Sequence, residues 1–205
     1  MKSTFALAGA AALAALSSAA AAQGSSPTDS TEVAIIGTAE AFCSLPSTWQ
    51  AVSSTNNVSL SAFNGHTWII PGNLVASTSG TAVTSTEEVA IRVRGQAACN
   101  TTHTITVTSA NGGLKAVAAG STPPAGFESK RRMTYNANWR DQSWGVFNFV
   151  PTSEGDSRTY NHGATVPPGN REFDVRMGLL REPTTSPMLA GSYTDQLIVT
   201  IGIPG

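Results

Sequence analysis

The sequence predicts an all-β fold, an antiparallel β-sandwich built from about eight to ten short strands. Many short segments alternate apolar and polar residues, which is the pattern of extended strands with one buried face. Turn-forming residues separate these segments, since the 205 residues include 19 Gly and 11 Pro. No segment of useful length has the apolar spacing of an amphipathic helix. We therefore expect one sandwich domain, without a helical layer.

Residues 1–22 have the features of a signal peptide. Met1-Lys2 is followed by an Ala/Leu-rich run from Phe5 to Leu16 and by an A-x-A cleavage site before Gln23. A membrane anchor is the alternative, but the apolar run is shorter than the about 20 residues that span a bilayer. We expect an exported product with no membrane span, in the periplasm in transit and then at the cell surface or outside the cell.

The mature chain begins with a polar, flexible extension over residues 23–32, and residues 33–205 form the single sandwich domain. The full sequence has 12 basic and 13 acidic residues, a formal net charge of −1. With so little charge of either sign, we expect no nucleic-acid partner.

The first half of the domain contains four predicted strands. Val33 to Phe42 alternates, with Val33, Ile35, Gly37, Ala39 and Ala41 on one face. Asn57 to Phe63 and Thr67 to Ile70 are short strands around an Asn64-Gly65 turn, and Ser77 to Thr86 is a loop. Val89 to Gly95 places Arg92 and Arg94 toward solvent or a groove.

The second half begins with His103 to Ser109, whose inner face is His103, Ile105 and Val107. Met133 to Trp139 and Trp144 to Val150 form a predicted hairpin. Thr152 to Asn170 is a polar loop, and Glu172 to Leu180 is a strand with Phe173, Val175, Met177 and Leu179 inward.

The strongest strand signal runs from Tyr193 to Ile203. It follows a Gly-Ser turn and places Tyr193, Leu197, Val199, Ile201 and Ile203 on one face. Asp195 is on that face, near the turn, where we expect water to reach it. We expect this strand to be the last element of the fold.

Cys43 and Cys99 are the two cysteines of the chain, and both follow the export signal. In an oxidising compartment an isolated pair favours a disulfide, with two separately buried thiols as the alternative. No His or acidic residue flanks either cysteine, which disfavours zinc, and we expect no metal site.

Few residues suggest catalysis. His66, His103 and His162 are far apart in sequence, and hydrogen-bonded or surface positions are more common for such histidines than a base or ligand. Asp141, Glu154 and Asp156 offer carboxylates, but turn capping is the simpler role. No nucleophile motif is present, so a hydrolase ranks third and we expect neither enzymatic activity nor a cofactor.

One cluster of aromatic residues offers a ligand face for a glycan or a protein. It consists of Tyr135, Trp139, Trp144, Tyr160 and His162. Aromatic rings beside polar donors suit a sugar ring or a protein surface. The alternative, which we favour, is a hydrophobic minicore beneath the polar loop, because aromatic residues dominate cores as well as interfaces.

Three features together resemble the spore coat protein U type domain, which archaic chaperone-usher pilins share. They are Cys43 ahead of the body of the domain, Cys99-Asn100 followed by a strand and the Ser109–Leu114 turn, and the terminal G-x-Y-x-D-x-L-x-V-x-I pattern. The resemblance covers both ends of the mature chain and is weak between Gly120 and Arg171.

This resemblance implies an immunoglobulin-like sandwich that lacks one strand and is completed by donor-strand exchange. The implied partners are a periplasmic chaperone, an outer-membrane usher and like or related subunits. The implied donor strand carries Val33, Ile35, Gly37 and Ala39, and the strand that borders the acceptor groove carries Tyr193, Leu197, Val199 and Ile201. The implied function is a structural subunit of a surface fibre or coat. A self-complete module that binds through the aromatic cluster is the alternative.

Overall fold

A computed structural model describes residues 36–55, 58–82, 89–118, 122–141, 148–162, 169–180 and 186–203. The chain divides into two compact units, Met1–Thr38 and Ala39–Gly205. In the first unit the described residues are 36–38, which are exposed and belong to no helix or strand. All the elements below belong to the second unit.

The second unit is built from antiparallel strands. In chain order they are β1 (Cys43–Ser44), β2 (Gln50–Ser54), β3 (Val89–Cys99), β4 (His103–Ser109), β5 (Leu114–Ala116), β6 (Lys130–Arg131), β7 (Met133–Trp139), β8 (Ser157–His162), β9 (Gly169–Leu179), β10 (Tyr193–Thr194) and β11 (Leu197–Gly202). Between β2 and β3 lie a 3-10 turn, Leu60–Ala62, and one helical turn, α1 (Gly72–Val75). In the part of the chain that is described, no helix is long and apolar enough to cross a membrane.

Three sheets form the fold. The largest has the order β1-β3-β9-β7, and β2 pairs with β3 beside β1. A second sheet has the order β11-β4-β8, and a small third sheet has the order β10-β5-β6. Ile105 and Val107 of β4 belong to the same buried cluster as Phe173 and Val175 of β9, so the two larger sheets pack face to face. The predicted all-β sandwich is confirmed.

The predicted inner faces of the long strands are confirmed. His103, Ile105 and Val107 of β4 are buried, and Phe173, Val175 and Leu179 of β9 are buried opposite them. Successive side chains of a strand point to opposite faces, so every second side chain of these segments points into the core. The inner residues of β7 are buried as well; they are Met133, Tyr135, Ala137 and Trp139.

Several predicted elements in the first half are wrong. The described part of the predicted strand 33–42 contains no strand, and pairing begins only at Cys43. The described part of Asn57 to Phe63 is a 3-10 turn, and the Asn64-Gly65 turn joins a hairpin with a single Phe63–Trp68 bridge. The turn itself is confirmed, since Asn64 N–H donates to the Thr67 carbonyl at 3.1 Å. Short segments of this kind are decided by packing rather than by their own pattern.

In the second half, one further prediction is wrong. The loop predicted from Thr152 to Asn170 contains β8, which pairs with β4 along its whole length. Of the strand predicted from Trp144 to Val150, residues 148–150 are described, and Phe149 forms an antiparallel bridge with Tyr135 of β7, the predicted partner strand. Residues 142–147, including Trp144, lie outside the described residues. β8 was not predicted because its sequence, SRTYNH, is too polar to show the alternation of apolar and polar residues that indicates a strand.

Cys43 and Cys99 are directly opposite each other in β1 and β3, with their Cα atoms 4.0 Å apart and their sulfur atoms at disulfide-bonding distance. Asn100, the next residue, holds the segment before Cys43. Its side-chain oxygen accepts from Phe42 N–H at 2.6 Å, and its amide nitrogen donates to the Glu40 carbonyl at 2.8 Å. The Cys99-Asn100 pair therefore fixes the point at which the chain enters the sandwich.

We predict one intramolecular bond between Cys43 and Cys99 in protein purified without reductant. The bond closes a loop with a sequence separation of 56. Replacing both cysteines by Ala should lower the free energy of unfolding by about 4 kcal/mol, because the unfolded chain regains loop entropy. Urea unfolding and non-reducing peptide mapping measure the two quantities, and two freely alkylated thiols in the native protein would contradict the prediction.

Candidate functional site

β11 is an edge strand of the sandwich. Within the described residues it pairs with β4 and with no other strand. Leu197, Val199 and Ile201 pack against the core but remain partly exposed, whereas Ile198 and Thr200 point outward and are exposed. The sheet therefore ends in a strand whose inner face is apolar and incompletely covered.

The backbone groups that β11 presents at this open edge follow from its register. Ala110 N–H donates to the Gln196 carbonyl at 2.9 Å, and Ile198 and Thr200 follow Gln196 in the positions that face β4. In an antiparallel pair, hydrogen-bonded and non-hydrogen-bonded positions alternate. The N–H and C=O groups of Leu197, Val199 and Ile201 therefore point away from β4, toward the open edge.

A cavity of about 550 Å³ lies along the inner face of β11, and we call it the β11 groove. Leu197 and Val199 form one wall. The floor comes from the largest sheet, and the opposite wall comes from the connection between β1 and β2. A third wall comes from the hairpin between β2 and β3. The floor includes Val93, Val175 and Met177. The wall between β1 and β2 includes Leu45, Pro46 and Trp49, and the hairpin wall includes Phe63, Trp68 and Ile70.

The wall between β1 and β2 depends on Gly95 of β3. A Cβ atom at position 95 would collide with Pro46 and with the carbonyl oxygen of Thr48. Because glycine lacks a Cβ, the connection can cross β3 closely at this point. Trp49 then packs edge-on against Phe173, with ring centroids 6.2 Å apart.

The four residues predicted to border the groove do not form one strand. Leu197 and Val199 line the β11 groove, and Ile201 packs against the core further along β11. Tyr193 belongs to β10, which pairs with β5 in the third sheet, and it lines a neighbouring cavity of about 520 Å³. The continuous strand predicted from Tyr193 to Ile203 is therefore wrong: Asp195 and Gln196 interrupt it.

Asp195 causes this interruption because its carboxylate is bound from several directions. It accepts hydrogen bonds from the Ser109 hydroxyl at 2.6 Å, from Asn111 N–H at 2.9 Å and from Gly113 N–H at 3.2 Å. The Tyr135 hydroxyl also donates to it. Asp195 remains partly exposed, as expected, and it also ties β11 to the β4–β5 turn and to β7.

Tyr135 is buried beside this carboxylate, and both circumstances act on its hydroxyl. Burial, followed by the hydrogen bond to Asp195, raises the pKa of Tyr135 far above its ordinary value of 10.0. The hydroxyl therefore stays protonated and remains a donor to Asp195 across the physiological range. Asp195 already accepts several donors, so this cluster holds strands in place and offers no free base for catalysis.

The opposite edge of the same sheet has different chemistry. β8 carries Arg158, whose guanidinium lies 5.3 Å from the centre of the Tyr160 ring and donates to the Asn148 carbonyl at 2.9 Å. Ser157, Thr159 and Asn161 are exposed on the other face of β8. A polar edge with a cation discourages pairing with another strand. Of the two edges of this sheet, β11 is therefore the edge suited to pair with an added strand.

Most of the described residues of the proposed aromatic ligand face are buried rather than on the surface. Tyr135 is 2% exposed and Trp139 is 1% exposed, and both belong to the main buried cluster. His162 is buried and Tyr160 is partly exposed, while Trp144 lies outside the described residues. Inward side chains of β7 face the opposite sheet, so the rings fill the core, as the alternative interpretation held.

His103 and His162, which are far apart in sequence, stack with ring centroids 5.2 Å apart. Trp139 Nε1–H donates to His103 Nε2 at 2.7 Å, so the proton of a neutral His103 ring is on Nδ1, 3.0 Å from the Thr101 carbonyl. Burial, followed by the electrostatic effect of the neighbouring His103, lowers the pKa of His162. The pair is a core contact between β4 and β8.

Cys43, Cys99 and His103 bring three metal-ligand atoms within 4.8 Å of one another. This geometry does not amount to a good metal site. The sulfurs are at bonding distance from each other, and the Nδ1 that faces Cys99 carries the proton that a metal would have to replace.

Sequence reasoning missed a buried charge cluster on the outer face of the largest sheet. Asp174 of β9 is 0% exposed. Arg94 donates to it through Nε at 2.6 Å and through Nη2 at 3.0 Å, and Arg92 donates through Nε at 2.7 Å. Arg92 and Arg94 were expected to face solvent or a groove. The signal available in the sequence was an acid, Asp174, between the inward apolar residues Phe173 and Val175 and opposite the two arginines of the neighbouring strand.

The remaining candidate residues have separate structural roles. Asp156 accepts from Thr152 N–H at 3.0 Å, which is the expected turn cap. Asp141 accepts from Arg171 at 2.7 Å, and Glu154 pairs with Lys115. His66 lies at the mouth of the β11 groove and is exposed.

The predicted donor residues are described only in part. Gly37 lies in the first unit and Ala39 in the second, and both are exposed and outside any strand. Val33 and Ile35 lie outside the described residues. These four residues therefore remain candidates.

We predict that Trp139→Ala lowers the free energy of unfolding by about 3 to 5 kcal/mol, because it leaves a cavity in the centre of the core. Phe127→Ala, at a ring that is 43% exposed, is the matched control and should cost about 0.5 kcal/mol or less. Chemical denaturation measures both. Equal costs for the two variants would contradict the placement of Trp139.

The raised pKa of Tyr135 predicts that the free energy of unfolding falls at alkaline pH. Its pKa is higher in the folded state than in the unfolded state, so its contribution is complete below about pH 10 and declines as pH rises further. The decline should approach about 1.4 kcal/mol for each pH unit. Urea unfolding between pH 9 and 11 measures the slope.

Tyr135→Phe should remove most of that slope, although it also lowers stability at neutral pH through the lost hydrogen bond. Tyr160→Phe and Tyr193→Phe are the controls, since those rings are less buried. An unchanged slope in Tyr135→Phe would show that another group governs alkaline unfolding.

No family model, no curated protein and no solved structure matches this chain. The likeness to the spore coat protein U type domain accordingly rests on Cys43, Cys99-Asn100 and the pattern around Asp195 alone. The function is argued below from the geometry of the β11 groove.

Proposed function

We propose that this protein is a non-enzymatic structural subunit of a bacterial surface fibre or coat. Subunits assemble by strand addition, in which the segment Val33–Ala41 of one copy enters the β11 groove of the next. In this proposal the protein is exported, a periplasmic chaperone holds the groove before assembly, and an outer-membrane usher accepts the subunit. The final location is the cell surface or the extracellular space.

The open edge of β11 carries this proposal. The backbone groups of Leu197, Val199 and Ile201 point toward that edge, and the side chains of Leu197 and Val199 line a cavity beside it whose residues are mostly apolar. Strand addition needs both features, because main-chain hydrogen bonds provide affinity and alternate side chains occupy pockets. The polar edge at β8 lacks the second feature.

The segment before Cys43 is the strand that we propose enters the groove. It alternates Val33, Ile35, Gly37, Ala39 and Ala41 on one face, as a strand with one buried face does. Its described residues form no strand in their own chain, and Ile36 is 87% exposed. A segment with apolar alternation whose described residues are mostly exposed is suited to complete the sheet of another copy.

Amide hydrogen exchange tests this proposal at single residues. In the isolated protein, the amides of Ile198 and Thr200 should exchange slowly because they pair with β4, whereas those of Leu197, Val199 and Ile201 should exchange fast. Adding a Val33–Ala41 peptide should slow the second group and leave the first unchanged. The first group is thus an internal control, measured in the same spectrum.

The same peptide with Ile35→Asp is the matched control ligand. It would bring an unpaired carboxylate into an apolar cavity, so it should give no protection. In the full chain, Ile35→Asp should prevent multimers that resist SDS until heated, while leaving the folded monomer intact. If no peptide protects Leu197, Val199 and Ile201 in folded protein, assembly through β11 is disproved.

A further inference from the structure

The hairpin between β2 and β3 forms the third wall of the β11 groove, and we define it as residues 59–70. Phe63, Trp68 and Ile70 face the groove, whereas Leu60 and Ile69 are 43% and 63% exposed. The hairpin holds its shape by its own bonds, including Ile69 N–H to the Ala62 carbonyl at 2.7 Å. Within the described residues, its hydrogen bonds are internal, so it contacts the body of the domain through apolar side chains.

Trp68 lines both the β11 groove and the neighbouring cavity next to Tyr193, as Thr67 and Ile70 of the same hairpin do. Its Nε1–H is buried and has no acceptor in the part of the chain that the structure describes. A buried donor without an acceptor is costly. The free subunit therefore carries an unmet hydrogen-bond donor in the wall of its groove.

The occupant proposed above has the complementary chemistry. A strand lying in the groove brings main-chain carbonyl groups, half of which do not face β11. The face with Val33 and Ile35 continues with very small residues at Gly37, Ala39 and Ala41. Three large aromatic side chains of the acceptor, Trp49, Phe63 and Trp68, line the groove. Overfilling a packed site is destabilising, so positions beside these rings favour small side chains.

We propose that Trp68 determines which strand the β11 groove accepts. Its ring limits the positions beside it to small side chains of the occupying strand, and a turn of the ring brings its buried indole N–H to a main-chain carbonyl of that strand. The partner is the segment 33–41 of a second copy of this chain. This inference rests on the proposed function and specifies the site that performs it.

Trp68 is preferred over Trp49 for this role because the two rings are held differently. Trp49 packs against Phe173 of the largest sheet and follows a connection fixed at Gly95. Trp68 belongs to a hairpin that contacts the rest of the domain through apolar side chains. A change at Trp68 should therefore alter the groove with less effect on the core.

Complementary substitutions on the two sides test the proposal. Three Val33–Ala41 peptides, with Gly37→Leu, Ala39→Leu or Ala41→Leu, should bind the wild-type protein at least about tenfold more weakly than the natural peptide. Trp68→Ala should restore at least one of them to within about threefold of the natural peptide. Leu60→Ala, on the exposed face of the same hairpin, is the control and should restore none.

Trp68→Phe separates the hydrogen bond from the size of the ring. It should still exclude the Leu peptides and should bind the natural peptide about five- to tenfold more weakly, because the donor is gone. Far-UV circular dichroism confirms that each variant is folded. Should Trp68→Ala not fold, Trp68→Leu, which keeps an apolar side chain, takes its place.

Two results would overturn the inference while leaving the proposed function intact. One is equal binding of the natural and Leu-substituted peptides to the wild-type protein. The other is weaker binding that no Trp68 variant restores. A natural peptide that binds none of the folded proteins would instead overturn the proposed function, and this inference with it.

Discussion

The Asp195 carboxylate is the contact on which the geometry of the groove depends. It accepts hydrogen bonds from Ser109, from the β4–β5 turn and from Tyr135 of the opposite sheet, and thereby joins three parts of the fold at one point. A partly buried carboxylate that lost these donors would be costly, so the arrangement is strongly enforced. The turn can approach it because Gly112 and Gly113 adopt positive φ angles of 70° and 110°.

This anchoring has a consequence for β11. The strand is held at its start by Asp195 and along one side by β4, while its other side is left without a strand in the described residues. Edge strands with apolar inner faces are usually protected, because they invite pairing with other chains. The protein protects β8 with Arg158 and polar residues, and it leaves β11 beside an apolar cavity. The asymmetry between the two edges is what supports a role in directed strand addition.

The other face of the largest sheet is stabilised by charges rather than by a second apolar layer. Arg92 and Arg94 both donate hydrogen bonds to Asp174, and Arg94 Nη1 also lies 3.6 Å from Glu172 Oε2. Several donors surround one buried carboxylate, so its charge is compensated within the sheet. Arg94 is adjacent in sequence to Gly95, and the β1–β2 connection that walls the groove crosses the sheet there. The charge cluster thus stabilises β3, which forms part of the floor of the β11 groove and contains the crossing point at Gly95.

The sequence by itself determined the all-β class, the inner faces of β4 and β9 and the Asn64-Gly65 turn, and it favoured the pairing of Cys43 with Cys99. These features follow from a period of two, from turn chemistry and from the presence of two cysteines, all of which are local or compositional. Only the tertiary structure decided that Tyr135 and Trp139 fill the core, that Asp195 divides Tyr193 from β11, and that Arg92 and Arg94 converge on Asp174. Each of these depends on residues distant in sequence, and no local pattern records which distant residue will complete a hydrogen bond or cover a ring.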